Sequence, residues 1–175
     1  MRAHTTQHRL TQMLRTAGLV MQAPQAPQLS VMVEGALSAQ AVQRLLDQTL
    51  RPQAVFATTL PADLVQRLEV AGIACHTATD ILCPAGSQWL LANAQALERL
   101  EDEDLEDLGW AATWAAQVRI AVKRDTTLPG DEWPGVALET AEFDRGLQLV
   151  RAPGDQSLGA LGKWAGSQVC LALRK

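Results

Sequence analysis

Residues 29–77 read LSVMVEGALSAQAVQRLLDQTLRPQAVFATTLPADLVQRLEVAGIACHT, and this stretch decides the fold. Leu29 to Val33 is a short apolar run ending at Glu34-Gly35, the pattern of a buried strand with a turn behind it. Ser38 is placed to cap a helix whose apolar face is Val42, Leu45, Leu46 and Leu50. Gln53 to Ala57 reads as a second strand. Pro61 then stands in a first helical turn, where the missing N–H would be unsatisfied anyway, and Leu64, Val65, Leu68 and Ala71 form a buried stripe that stops at Gly72. Ile73 to Thr77 is a third strand. Strand, helix, strand, helix, strand with short linkers predicts right-handed crossovers in a parallel sheet.

Working outward, residues 6–17 place Leu10, Met13, Leu14 and Ala17 on one helical face before Gly18. The segment Gln22 to Gln28 carries Pro24 and Pro27 without periodicity and reads as an extended connector. On the C-terminal side, Gln88 to Ala92 reads as a strand, Asn93 as a cap, and the chain as helical to about Ala116, with a restart at Asp102. Val118, Ile120 and Val122 alternate with Arg119, Ala121 and Lys123, a strand with one wet face. Arg119, Lys123 and Arg124 are the one tight basic group, read as a solvated edge. Val136 to Glu139, Leu147 to Val150 and Val169 to Leu173 are further strands, and Ser157 caps a last helix through Trp164. The fold class expected is α/β: a mixed, mainly parallel sheet of six to eight strands with helices on both faces, preceded by an N-terminal helix. Residues 1–28 form the arm and Pro/Gln connector, and residues 29–175 a single α/β domain.

The 175 residues carry 19 Asp+Glu against 15 Lys+Arg, a formal net charge of −4. Glu98, Glu101, Asp102, Glu103, Asp104, Glu106 and Asp107 face a single Arg99, so this one segment holds a local net charge of −6. It reads as a solvated helix face or a surface for a protein partner, basic or a second copy of the chain, with Trp110 and Trp114 one turn apart at the spacing of core or interface packing. Nucleic acid is not favoured by the net charge, because backbone affinity needs several Lys/Arg to release counterions. No apolar run approaches the ~20 residues of a membrane helix. No export signal follows Met1, and the three cysteines, Cys75, Cys83 and Cys170, are odd in number, so a cytoplasmic address with reduced thiols is expected. Cys75 and Cys170 are read as core thiols.

The catalytic motifs sought do not form. His4 and His8 lie at i, i+4 without a general-base Glu between them, and Cys75, His76 and Cys83 fall short of a closed zinc set. Cys75 and His76 are strand neighbours and point to opposite faces, so they cannot act on each other. Glu34-Gly35-Ala36-Leu37-Ser38 has one glycine where a dinucleotide loop needs three. The expected function is therefore that of a non-catalytic domain working by protein contact or assembly, without cofactor. The alternative is a ligand site at the C-terminal ends of the strands, near Glu34, Gly35, Thr58 and Thr59.

The alternative has a family behind it. Val31-Met32-Val33-Glu34-Gly35, then Arg51-Pro52-Gln53-Ala54-Val55-Phe56-Ala57, then Ala71-Gly72-Ile73 resembles the substrate-binding domain of SpoU-type RNA 2′-O-ribose methyltransferases over residues 29–82. Val136 to Glu139, Asp144 to Leu147, Pro153-Gly154 and Ser157-Leu158 are similar to late motifs of that family's catalytic domain. The resemblance implies S-adenosylmethionine near Gly146, Leu147, Gly154, Ser157 and Leu158. The family's Asn and catalytic Arg motif is missing between 83 and 135, and Gly159 stands where Asn is expected.

Overall fold

The computed structural model describes residues 13–18, 26–77, 81–114, 119–123, 136–139, 147–166 and 170–174. In chain order they form β1 (Leu29–Ala36), α1 (Ala39–Asp47), β2 (Ala54–Thr59), α2 (Ala62–Val70), β3 (Ala74–His76), β4 (Leu82–Cys83) and β5 (Gln88–Asn93). There follow α3 (Ala94–Glu98), α4 (Asp104–Trp114), β6 (Arg119–Lys123), β7 (Val136–Glu139), β8 (Leu147–Arg151), β9 (Gln156–Ser157), α5 (Leu158–Gly166) and β10 (Cys170–Arg174). Residues 13–16 are helical and turn at Gly18, whose φ of 80° is left-handed. The rest of the helix expected over 6–17 lies outside the described residues.

The class is α/β. The body of the sheet runs β3-β2-β1-β5-β8, with the first four strands parallel and β8 antiparallel against β5. Beyond β8 the ladder continues through β6, β10 and β7. Strand β1 is central, with Val31 level with Val55 on one side and Leu90 on the other, so its alternate residues are sealed on the helix-bearing face. Strand β6 lies between β8 and β10 rather than at an edge, which corrects the reading of Arg119 and Lys123 as a solvated edge.

The sequence pattern accounts for the local structure of the first half. Ser38 accepts from Ala41 N–H at 3.1 Å and starts α1, and Gly72, at φ 81°, ends the turn after α2. Pro61 takes the cap position of α2 rather than its first turn. Between Asn93 and Trp114 the chain makes two helices, with Asn93 capping α3 through Ala96 N–H and α4 opening at Asp104 instead of Asp102.

All four helices α1 to α4 contribute to one core on one face of the sheet, around Val31, Val33, Leu45, Leu68, Leu90, Leu97 and Leu108. The path β1–α1–β2 steps one way along the sheet, whereas β5–α3–α4–β6 steps the other way on the same face. The two crossovers therefore cannot share a hand, a departure from the uniform rule. What holds α4 there is tertiary: Gly109 lies so close to Pro27 that a Cβ would stand 2.8 Å from the proline ring. Pro27, within the stretch expected to be an extended connector, is thus buried as part of the body.

The second face is covered by β4 and β9, paired antiparallel, and by α5. Their cluster is Cys83, Trp89, Val150, Ala152, Leu158 and Leu161, with Met32, Phe56, Ile81 and Leu91 half-buried beside it. The indole of Trp89 leans across the small Ser30 to within 5.2 Å of the Phe56 ring, and His76 stacks on Phe56 at 4.8 Å. Cys83, not Cys75, is the fully buried thiol; Cys75 is half-buried, and the side chain of Cys170 lies outside the described residues. Burial pushes Cys83 up to about 11, and burial together with the nearby Glu69 carboxylate raises Cys75.

Candidate functional site

Strands β1 and β5 are neighbours whose chains leave in different directions, β1 into α1 and β5 into α3. The strand order reverses here, as it does where open α/β sheets place ligands, although α1 and α3 pack on the same face instead of flanking a crevice from opposite faces. The rim here holds the residues the sequence singles out. Glu34 and Gly35 end β1, and Thr58 and Thr59 end β2, all exposed. Thr58 Oγ1 donates to the Gly35 carbonyl at 3.0 Å, and Leu37 N–H donates to the Thr59 carbonyl at 3.4 Å, so the two strand ends are tied together. Gly35 has φ 97°, a left-handed backbone that lets the chain turn out of β1, where the β1–β2 register also shifts. A Cβ built there would meet nothing within 4 Å.

Across the switch, Glu34 is level with Asn93, whose side-chain oxygen caps α3. Ser38, besides capping α1, donates to Glu98 Oε1 at 2.6 Å. A carboxylate is thereby fixed at the positive end of α1, the position an incoming phosphate would take. The rim is built of carboxylate, amide and hydroxyl groups. It suits a ligand that offers donors, such as a ribose hydroxyl or an amine, better than a phosphate. The Asn93 cap is readable from the sequence, but the Ser38–Glu98 link escapes it because those partners are 60 residues apart.

The acidic segment divides. Glu101, Asp102, Glu103 and Asp107 are exposed, and Glu98, Glu106 and Trp110 are half-buried. Asp104 is fully buried, which corrects its place among the surface acids: its Oδ2 accepts from Glu101 N–H at 2.8 Å and closes the turn into α4. Buried Gln48, just beyond α1, donates to the Glu101 carbonyl at 2.7 Å and accepts from Leu105 N–H at 3.0 Å, and Thr49 N–H donates to the Asp102 carbonyl at 2.7 Å. The segment is thus held on α1 by its backbone while Glu101, Asp102, Glu103 and Asp107 stay exposed. Trp110 Nε1 is buried with no hydrogen-bond partner among the described residues, and the side chain of Trp114 lies outside them.

Other candidates separate. Cys75 packs toward the helix-bearing core while His76 stacks on Phe56 on the opposite face, as strand alternation requires. Among the described residues no group of three His, Cys, Asp or Glu could hold a metal ion, and His4 and His8 lie outside them. No helix among the described residues is long and apolar enough to cross a membrane. Ser157 caps α5 by accepting from Ala160 N–H, and Leu158 is buried beneath it. They follow β8 past Arg151, which pairs with Gln88 at the start of β5, whereas Glu34 and Asn93 stand at the other end. Of the cofactor positions implied by the methyltransferase resemblance, Leu147 pairs with Ala92 at the Glu34 and Asn93 end of the sheet, whereas Ser157 and Leu158 lie beyond its other end, and Gly146 lies outside the described residues. No protein-family model matches the chain, and no curated protein matches it significantly.

Proposed function

We propose that this chain is a non-catalytic α/β binding domain that docks a basic segment of a protein partner on the surface carried by residues 98–107, and that it works with reduced thiols in the cytoplasm. The observation that carries this reading is the clamp by Gln48, Thr49 and Asp104, which presents Glu101, Asp102, Glu103 and Asp107 on a fixed backbone. Preorganised charge of one sign speeds encounter and selects partners of the opposite sign. The free Cys75 and Cys83 support the reducing compartment. The test is binding of a lysine-rich peptide to the full chain at low and physiological salt. Asp102→Lys together with Glu103→Lys is expected to weaken binding about tenfold, the equivalent of ~1.4 kcal/mol, with the thermal midpoint unchanged. Equal binding by the variant removes the acidic surface from the reading.

A second reading is supported by the switch-point rim: an S-adenosylmethionine-dependent, RNA methyltransferase-like or nucleotide-binding role, with Glu34, Gly35, Thr58 and Thr59 at the ligand. A thermal-shift series with S-adenosylmethionine, S-adenosylhomocysteine and nucleotides separates the two. A bound ligand at about 100 times its Kd adds about 2.7 kcal/mol, and no shift with any of them leaves the partner-binding reading standing.

A further inference from the structure

Strand β3 ends the sheet, and among the described residues no strand pairs with its outer side. Ala74 N–H donates to the Gln53 carbonyl at 3.0 Å, so Ala74 turns its backbone toward β2. By strand alternation His76 does the same, while Cys75 and Thr77 present N–H and C=O to the open side. Ile73 N–H is already held by the Leu68 carbonyl, which sets where a new ladder would stop. Residues 74–77 contain no Lys, Asp, Glu or Pro, the usual guards of an exposed edge.

We infer that the β3 edge pairs with the same edge of a second copy, antiparallel about a two-fold axis at Cys75. The strand is complementary to itself in that register. Each Cys75 N–H meets the other's carbonyl, and each Thr77 N–H meets the other's Ile73 carbonyl. The exposed Ala74 lies opposite the ring of His76, small against large, and Cys75 lies opposite Cys75. A ladder this short buries far less than the about 1,200 Å² of a stable complex, so the association is reversible and concentration-dependent. Glu69, near enough to Cys75 to act on its thiol, comes close to its own counterpart across the axis and opposes the pairing. The edge is separate from the acidic segment, and the dimer does not depend on it.

The experiment is sedimentation of the full chain over a wide concentration range, with a short bismaleimide to trap neighbouring thiols and mass spectrometry to locate the link. A reversible dimer joined Cys75 to Cys75 is expected. Ala74→Arg, at an exposed position, is expected to weaken it at least about tenfold, and Glu69→Gln to tighten it severalfold. Cys75→Pro removes an N–H that β2 does not use, and should leave a folded monomer. If that variant does not fold, Ala74→Arg decides. A chain that stays monomeric throughout, a link through another cysteine, or a dimer indifferent to Ala74→Arg overturns the inference. The Asp102→Lys, Glu103→Lys variant should dimerise normally, which keeps this result apart from the partner-binding test.

Discussion

The two faces of the sheet are built on different terms. The helix-bearing face is a continuous aliphatic core in which Leu29, Val31, Val33, Leu45, Leu68, Leu90 and Leu108 lose essentially all contact with solvent. Among the described residues, the other face is sealed over Trp89, Val150 and Ala152, by a two-stranded ribbon and one helix, and leaves Met32, Phe56 and Leu91 half-wet. The helix-bearing face therefore carries most of the apolar burial, and the ribbon-covered face is freer to vary.

Predictions that probe this contrast run from large effects to small. Asp104→Lys should be the most damaging, losing about 3 kcal/mol or more in chemical denaturation, because it removes the cap on Glu101 N–H and buries an unpaired ammonium. Leu45→Ala should cost about 2–5 kcal/mol, a sealed-core cavity. The matched change on the other face, Met32→Ala, should cost only about 1–2 kcal/mol, since part of that side chain is already in water. Equal losses at the two positions would break the contrast. Gly109→Ala should cost about 1–3 kcal/mol through the Pro27 clash, read as a lower thermal midpoint with the far-UV spectrum retained.

A further effect, confined to alkaline solution, is a pH dependence from Cys83. Its folded value, about 11, lies above the ordinary 9.0, so the native state keeps a proton that the unfolded chain gives up. Ionisation of the thiol does not change stability below about pH 9, where both states hold the proton. Its contribution falls between about 9 and 11, the window in which the unfolded chain binds fewer protons. Cys83→Ala should flatten that part of the stability profile. A profile unchanged by the substitution would place the titration elsewhere.

How much was legible depends on the length of the signal. β1, β2, β5 and β8, with the helices α1 and α2, carry several residues of period or a cap each, and Ser38, Asn93 and Ser157 all cap where the pattern puts them. β4 and β9 are two residues each, too short for any periodicity, so the cover of the second face and the burial of Cys83 were invisible. At the rim, Glu34, Gly35, Thr58 and Thr59 could be found because they follow the ends of readable strands. Asp104 could not be told from its acidic neighbours, since its burial comes from closing a turn that Gln48, 56 residues earlier, holds down.

The amino-acid sequence alone determined the α/β class, the order of the early strands and helices and most caps, because these rest on local spacing and on the conformational limits of Ser, Asn, Pro and Gly. Only the tertiary structure decided which face each helix covers, which acid goes inside, and that Glu98 stands at the start of α1. Those outcomes depend on hydrogen bonds and packing between residues some 60 apart in the chain, and no local periodicity encodes which distant pair will meet.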